Sequence, residues 1–297
     1  MIAVDWGSTH MRAYLVDPDG AIRERRSAGT GAMQIGAGRF PDALDELVGS
    51  WIEDGEGPVF MSGMVGSRQG WREVPYVPCP AALEDIARGA VKVSWGANRC
   101  AYIVPGVACV DLEGVPDVLR GEETQALGAV ARLPAGSVSL CMPGTHSKHV
   151  RLRDGVLQGF ETYMTGELYS VLQRYSILGR TMDPSAPEID PVAFRAGVER
   201  AGGAGGLSHH LFGVRARALA GELDARATGS YLSGILIGHE VRAVQPAGPV
   251  FIVGSPGLGE LYLRAFEHCG TRATLVDADV AATGLYRVMH CLEESLP

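Results

Sequence analysis

Val4-Asp5-Trp6-Gly7-Ser8-Thr9, answered mid-chain by Cys141-Met142-Pro143-Gly144-Thr145-His146-Ser147, is the pair of segments on which the fold turns. Each leaves an apolar stretch, passes through small or hydroxylic residues and enters a second stretch suited to a strand. The spacing predicts strand, tight turn, strand twice over. A turn without bulky side chains lets backbone N–H groups come close to phosphate oxygens. Two such turns half a chain apart predict a nucleotide gripped by two related lobes.

The flanking sequence extends the pattern. Ile2–Asp5, Met11–Val16 and Ala21–Arg26 are predicted as successive strands, with Pro18-Asp19-Gly20 as the second turn. Val138–Met142, Lys148–Leu152 and Val156–Thr162 repeat the plan around Arg153-Asp154-Gly155. Further on, Pro58-Val59-Phe60-Met61-Ser62-Gly63 is echoed by Pro249-Val250-Phe251-Ile252-Val253-Gly254. Two echoes in the same order predict an internal duplication.

Helical spacing runs through Asp42–Glu53, Ala81–Ala90, Glu122–Arg132, Glu167–Leu178, Ser230–Val244, Gly259–Cys269 and Asp279–Leu292. Asp190-Pro191 supplies a cap and first residue for a helix reaching Ala201. The segments Met182–Pro191 and Ala201–Gly206 are expected as loops. Strands mixed with helices predict an α/β fold of helix-covered sheets. The main boundary is placed at Leu119–Gly121, giving an N-terminal domain over 1–120 and a C-terminal domain over 121–297.

A chain of 297 residues has room for two such domains, and 46% hydrophobic with 20% charged residues suits a folded soluble protein. The net charge of -8 excludes a large nucleic-acid or membrane footprint, which needs clustered Lys and Arg. Cys79, Cys100, Cys109, Cys141, Cys269 and Cys291 form no C-x-x-C pair, so reduced thiols and a cytoplasmic location are expected. The sequence has no leader-like start and no run of 18 apolar residues. Neither a Walker A sequence nor G-x-G-x-x-G after a strand occurs, which excludes the common P-loop and dinucleotide folds. H-E-x-x-H and G-x-S-x-G are absent as well.

Asp5 ends a core strand, where a carboxylate is costly to bury without a partner. It suits a Mg²⁺ ion, which keeps several waters and takes one or two carboxylates beside substrate phosphates; an Asx-turn would use the same residue. Gly7, Ser8 and Thr9 offer donors to phosphate from one loop, and Gly144, Thr145 and His146 from the other, with Lys148 bringing an ammonium. Arg120-Gly121-Glu122-Glu123 opens a predicted helix. Phosphoryl transfer needs a carboxylate to take the acceptor's hydroxyl proton, and Glu122 or Glu123 suits that role, with Glu122 preferred. The loop from Met64 to Trp71 contains Ser67 and Arg68; arginine holds carboxylates by paired hydrogen bonds, and tryptophan walls a sugar-like ligand. Arg12 is a further anion-site candidate, and Gly254-Ser255-Pro256-Gly257-Leu258-Gly259 suits either an adenosine wall or a plain helix start.

Five blocks taken together resemble the 2-dehydro-3-deoxygalactonokinase family of the actin, sugar-kinase and Hsp70 superfamily. They are Asp5–Thr9, Met61–Ser67 with Gly70-Trp71, Arg120–Gln125, Met142–Lys148 and Met164–Leu168, and they stand in the family's order. The resemblance implies two ribonuclease H-like domains with an interdomain nucleotide cleft. It also implies transfer of the ATP γ-phosphate to the 6-hydroxyl of 2-dehydro-3-deoxy-D-galactonate, with Mg²⁺. By resemblance Asp5 is the metal-side carboxylate, because Met142 stands where some superfamily members carry a metal-linked Asp. Gly254, Ser255 and Leu258 match the adenosine block. Arg12, Met64, Ser67, Arg68, Trp71, Arg120, Thr165 and Glu167 are the substrate candidates, although Thr165 also suits a helix N-cap. ATP and a sugar acid are the expected partners, and a homodimer is the expected assembly. A kinase for another keto-deoxy sugar acid, such as the gluconate epimer, and a non-catalytic ATP-dependent sugar sensor or actin-like protein are the alternatives.

Overall fold

Both predicted meanders form, and each is extended on its other side by parallel strands. The structure is a computed structural model that describes residues 1–36, 38–183, 185, 189–276 and 279–294; part of the loop expected at 182–191 lies outside them. Strand β1 (Ile2–Trp6) pairs antiparallel with β2 (Met11–Val16), and β2 pairs with β3 (Ile22–Ala28). On its other edge β1 pairs in parallel with β4 (Val59–Gly63). The sheet continues through β7 (Arg99–Ile103) to β6 (Val91–Trp95). A small separate sheet joins β5 (Val77–Pro78), β8 (Val107–Val110) and β9 (Pro116–Leu119). The second large sheet comprises β10 (Ser137–Met142), β11 (Ser147–Arg153), β12 (Val156–Tyr163), β13 (Val250–Val253) and β14 (Ala273–Val276), in the order β12-β11-β10-β13-β14.

The two large sheets share one plan. Outward from β1 lie β2 and β3 on one side and β4 and β7 on the other; outward from β10 lie β11 and β12, then β13 and β14. One strand plan is therefore present twice, as the duplicated sequence predicts and as the resemblance implies for two ribonuclease H-like domains. Strand composition follows position. β1 reads apolar throughout except at Asp5 and is buried, as a strand covered on both faces must be. β3 carries Arg23, Glu24, Arg25 and Arg26 at an exposed edge, where charge deters further pairing.

By contact the chain forms two units, Met1–Ser137 with Val150–Glu161 and Asp277–Pro297, and Val138–His149 with Thr162–Val276. This partition differs from a single cut at 120, because the chain's last helix returns to the first unit. That unit holds α1 (Phe40–Glu53), α2 (Leu83–Arg88), α3 (Glu122–Val130) and α9 (Val280–Glu294). Its core gathers Val4, Trp6, Leu44, Trp51 and Met61. Helices α3 and α9 approach until backbones touch: a Cβ on Gly284 would lie 1.7 Å from the Thr124 carbonyl oxygen.

The second unit holds α4 (Thr165–Tyr175), α5 (Pro191–Ala201), α6 (Gly206–Leu219), α7 (Ala225–Ala243) and α8 (Pro256–His268). Asp190 caps α5 as expected, accepting from the N–H groups of Val192 and Ala193. Helix α6 has no counterpart in the sequence reading; it buries only His210 and Val214, so its apolar period is faint. Helix α8 begins at Pro256, three residues before its predicted start, because proline fits the first helical position. Among the described residues no helix is long and apolar enough to cross a membrane.

Candidate active site

In the first unit several of the candidate side chains gather where β1 and β4 end. Asp5 is cross-strand partner to Arg12 on β2 and to Ser62 on β4. Its carboxylate lies 3.7 Å from the Arg12 guanidinium and is 13% exposed. Burial, opposed by Arg12 and reinforced by the Glu122 charge, raises Asp5 to about 6. The following turn is closed by a hydrogen bond from Gly7 N to His10 O, at 2.9 Å. Ser8 and Thr9 are exposed at its tip. The turn rests on the segment after β3, since Ala32 N donates to Gly7 O and Met33 N to Ser8 O. β4 ends at Gly63 with φ +91, where a Cβ would lie 2.6 Å from the Trp6 carbonyl oxygen; only glycine fits there.

Helix α3 points its first turn at the same place. Thr124 Oγ1 donates to Gly121 O at 2.7 Å and meets the Ser62 hydroxyl at 3.2 Å, tying α3 to the end of β4. The paired glutamates differ sharply. Glu122 is partly exposed and accepts from its own turn, at Arg120 N. Glu123 is sealed in the core; one oxygen accepts from Gly121 N at 2.6 Å and the other has no partner. Burial and the neighbouring Glu122 raise Glu123 to about 8.

Arg120 lies over the Tyr76 ring at 4.2 Å and donates to Val74 O at 2.7 Å. Its Nε and Nη1 are buried without hydrogen-bond partners, as is Ser67 Oγ. Gly66 brings that loop against the guanidinium, since a Cβ there would lie 2.8 Å from Arg120 Nη1. Met64 and Trp71 pack on the core; Trp71 stacks on Phe40 and meets Trp95 edge-on, with ring centres 6.5 and 5.4 Å apart. Arg68 is 83% exposed and lies 3.7 Å from Glu73, away from these buried groups in character.

In the second unit, Gly144, Thr145 and His146 form the turn between β10 and β11, with Thr145 and His146 exposed. The first turn of α4 is fastened to it. Glu167 N donates to Thr145 O at 2.9 Å, and a Cβ on Gly166 would lie 2.3 Å from Gly144 O. The His146 imidazole and the Glu167 carboxylate meet at 2.5 Å. Lys148 is buried and donates to Thr162 Oγ1 at 2.7 Å. A cavity of about 200 Å³ is lined by Gly144, Thr165, Gly166, Leu258 and Tyr262, with aliphatic side chains of α7 behind them. Gly254 and Ser255 form the bend that leads from β13 into α8.

Thr165 differs from the N-cap expectation. Met164 is the N-cap, Thr165 is the first helical residue, and its hydroxyl donates to the Glu240 carboxylate instead of to the helix's own backbone. Sequence reading singled out neither Glu240 nor His149. His149 Nε2 and Glu240 Oε1 meet at 2.7 Å in the core. The signal was a lone carboxylate in the apolar run of α7, which demands buried partners.

Comparison with known proteins finds one family over nearly the whole chain. A family model described as 2-keto-3-deoxy-galactonokinase matches residues 5–288. A Rhizobium meliloti (strain 1021) protein, "Probable 2-dehydro-3-deoxygalactonokinase DgoK1", is 40% identical over 94% of this chain and 92% of its own. The 2-dehydro-3-deoxygalactonokinase of Escherichia coli (strain K12) is 37% identical over 98% of each chain. A solved structure from Sinorhizobium meliloti, provisionally assigned to the same activity, superposes with a TM-score of 0.85 at 38% identity, covering 98% of each chain.

Proposed function

This chain belongs to the 2-keto-3-deoxy-galactonokinase family, and from that premise we propose how its residues divide the work of the reaction. It is a carbohydrate kinase of actin-like ATPase fold that phosphorylates 2-dehydro-3-deoxygalactonate with ATP, in galactonate catabolism. The observation that carries the division is the tie between α3 and the end of β4, where Thr124 meets Ser62, the cross-strand partner of Asp5, so that the turn bearing Glu122 and Glu123 lies beside the strand of Asp5.

Glu122 is the general base. It is partly exposed, whereas Glu123 is sealed and holds its proton up to about pH 8. A base must reach the substrate, which favours the partly exposed Glu122 over the sealed Glu123. It takes the proton of the 6-hydroxyl as that oxygen bonds to the γ-phosphorus; the bond from phosphorus to the bridging oxygen breaks, and ADP leaves with the electron pair. Glu123 positions the turn through Gly121 N.

Asp5 fits the magnesium that accompanies ATP. Its carboxylate is pushed towards neutrality by burial and by Glu122, so a divalent cation relieves the crowding of negative charge, and an all-oxygen donor set suits Mg²⁺. When bound, that ion neutralises charge on the phosphates. Gly7, Ser8 and Thr9 in the first unit and Gly144, Thr145 and His146 in the second donate to phosphate oxygens. Lys148 adds charge near its loop, and Gly254, Ser255 and Leu258 take the adenosine. The unpartnered nitrogens of Arg120 and the Ser67 hydroxyl support a role in holding the substrate carboxylate, which would satisfy them. Met64 and Trp71 supply apolar support, while Arg12, Arg68 and Glu167 are outlying candidates for sugar contact; Thr165 lines the cavity assigned to the nucleotide. The first unit thus carries the sugar-acid, base and first phosphate functions, and the second unit the second phosphate and adenosine functions.

ADP release measured across a panel of keto-deoxy sugar acids, including the gluconate epimer, tests this reading. The galactonate-derived acid should give the highest kcat/KM. ATP binding without any sugar-dependent ADP release would favour a sensor instead. Glu122→Gln should lower kcat by about a hundredfold or more, with ATP affinity retained; an unchanged rate removes Glu122 from the base role.

A further inference from the structure

Glu240 lies in the apolar middle of α7, 2% exposed, and none of the roles above uses it. Its carboxylate is the meeting point of three elements. Oε1 pairs with His149 Nε2 of β11 at 2.7 Å. Oε2 accepts from the Tyr262 hydroxyl of α8 at 2.7 Å and from the Thr165 hydroxyl of α4. Ser147 Oγ adds a further bond to the Tyr262 hydroxyl, at 2.7 Å. Burial and the Glu240 charge keep the Tyr262 phenol protonated, so it serves as a donor. An unmet buried carboxylate oxygen would cost more than an ordinary hydrogen bond returns, which holds all three donors in place.

Two of those donors, Thr165 and Tyr262, line the 200 Å³ cavity. Thr165 also begins the turn of α4 that is fastened to the Gly144–Thr145 backbone at Gly166 and Glu167. The links run without a gap from Glu240 to Thr165, from Thr165 to the first turn of α4, and from that turn to the phosphate loop. Cys141 Sγ, 4.0 Å from His149 Nε2, gives this cluster a donor set of the kind that binds zinc. The hydrogen bonds favour another use. Oε2 already accepts from two hydroxyls, Oε1 accepts the imidazole proton, and the Nε2 lone pair that a metal would need is then occupied.

We propose that Glu240 is a positioning residue for the nucleotide: through Thr165 and Tyr262 it sets the wall of the cavity and, through α4, the place of the Gly144–Thr145 turn. The proposal rests on the reading that this turn and cavity receive ATP.

Steady-state kinetics with ATP and sugar acid varied separately test it. Glu240→Ala should raise KM for ATP about tenfold, with KM for the sugar acid changed less than about twofold. Glu240→Gln, whose amide oxygen still accepts from both hydroxyls, should recover most of the loss. Thr165→Val keeps shape and deletes a single donor, so it reports even if the alanine variant does not fold; it should raise KM for ATP about threefold or more. Calorimetry with ADP should follow the same order of variants. An unchanged KM for ATP in Thr165→Val, an equal rise in both KM values, or a rise for the sugar acid alone would overturn the proposal. So would one equivalent of zinc retained by the purified parent. Failure of the functional reading is seen separately, as a parent enzyme that binds ADP but releases none in response to any sugar acid.

Discussion

Asp5 and Glu123 are acids held protonated above their ordinary range, and pH separates what each does. For Glu123 the unfolded chain loses its proton near 4.5 and the folded chain near 8, with burial as the main cause. Between those values the folded state binds more protons, so its stability falls as pH rises. Glu123→Gln removes the titration. Urea denaturation from pH 5 to 8 should show the parent losing ground to that variant, at a slope approaching about 1.4 kcal/mol per pH unit; parallel curves would refute the shift. Asp5 is raised from 3.8 to about 6, so it too stabilises the fold less as pH rises through that window. In the role proposed for it the ionised form of Asp5 meets the cation, so kcat/KM should fall as pH drops below about 6. Asp5→Asn should cost about a hundredfold or more in kcat/KM without lowering the melting temperature, because it removes a buried charge. The candidates Asp5, Glu122 and Arg120 were legible because charged groups beside glycine turns stand out in a sequence. The contrast between Glu122 and Glu123 was not, since adjacent helical positions differ only in which one faces the core.

At the scale of elements, one substitution should act with opposite sign in two helices. In α9, Gly284→Ala drives a methyl into the Thr124 carbonyl of α3 and should cost about 1–3 kcal/mol. In α6, Gly213 has nothing within 4 Å of a built Cβ, so Gly213→Ala should stabilise by about 0.5–1 kcal/mol. Denaturant midpoints with unchanged m-values check both. Strands and helices with sharp caps were read closely from sequence, as at Asp190 before α5. Helix α6 escaped because few of its side chains are buried and periodicity needs a buried face. The early start of α8 was missed because Pro256 and Gly257 look like loop residues, although proline suits a first helical turn.

For the whole molecule, ligand linkage offers a direct check. ADP with Mg²⁺ at about a hundred times its Kd should stabilise the parent by roughly 2.7 kcal/mol, read as a rise in melting temperature. A galactonate-derived acid should add its own increment, and no shift with either ligand would contradict the kinase reading. The sequence by itself determined the duplication, the two turns and the side chains around them, because strand–turn–strand patterns and glycine requirements are local and leave a local imprint. Only the tertiary structure decided which acid is sealed, why Thr165 turns away from its own helix, and that Glu240 joins β11, α4 and α8. Those facts depend on desolvation and on partners far apart in the chain, such as Ser147 with Tyr262 and Thr165 with Glu240. Nothing in the identity of a single residue announces which distant donor will meet it in the core.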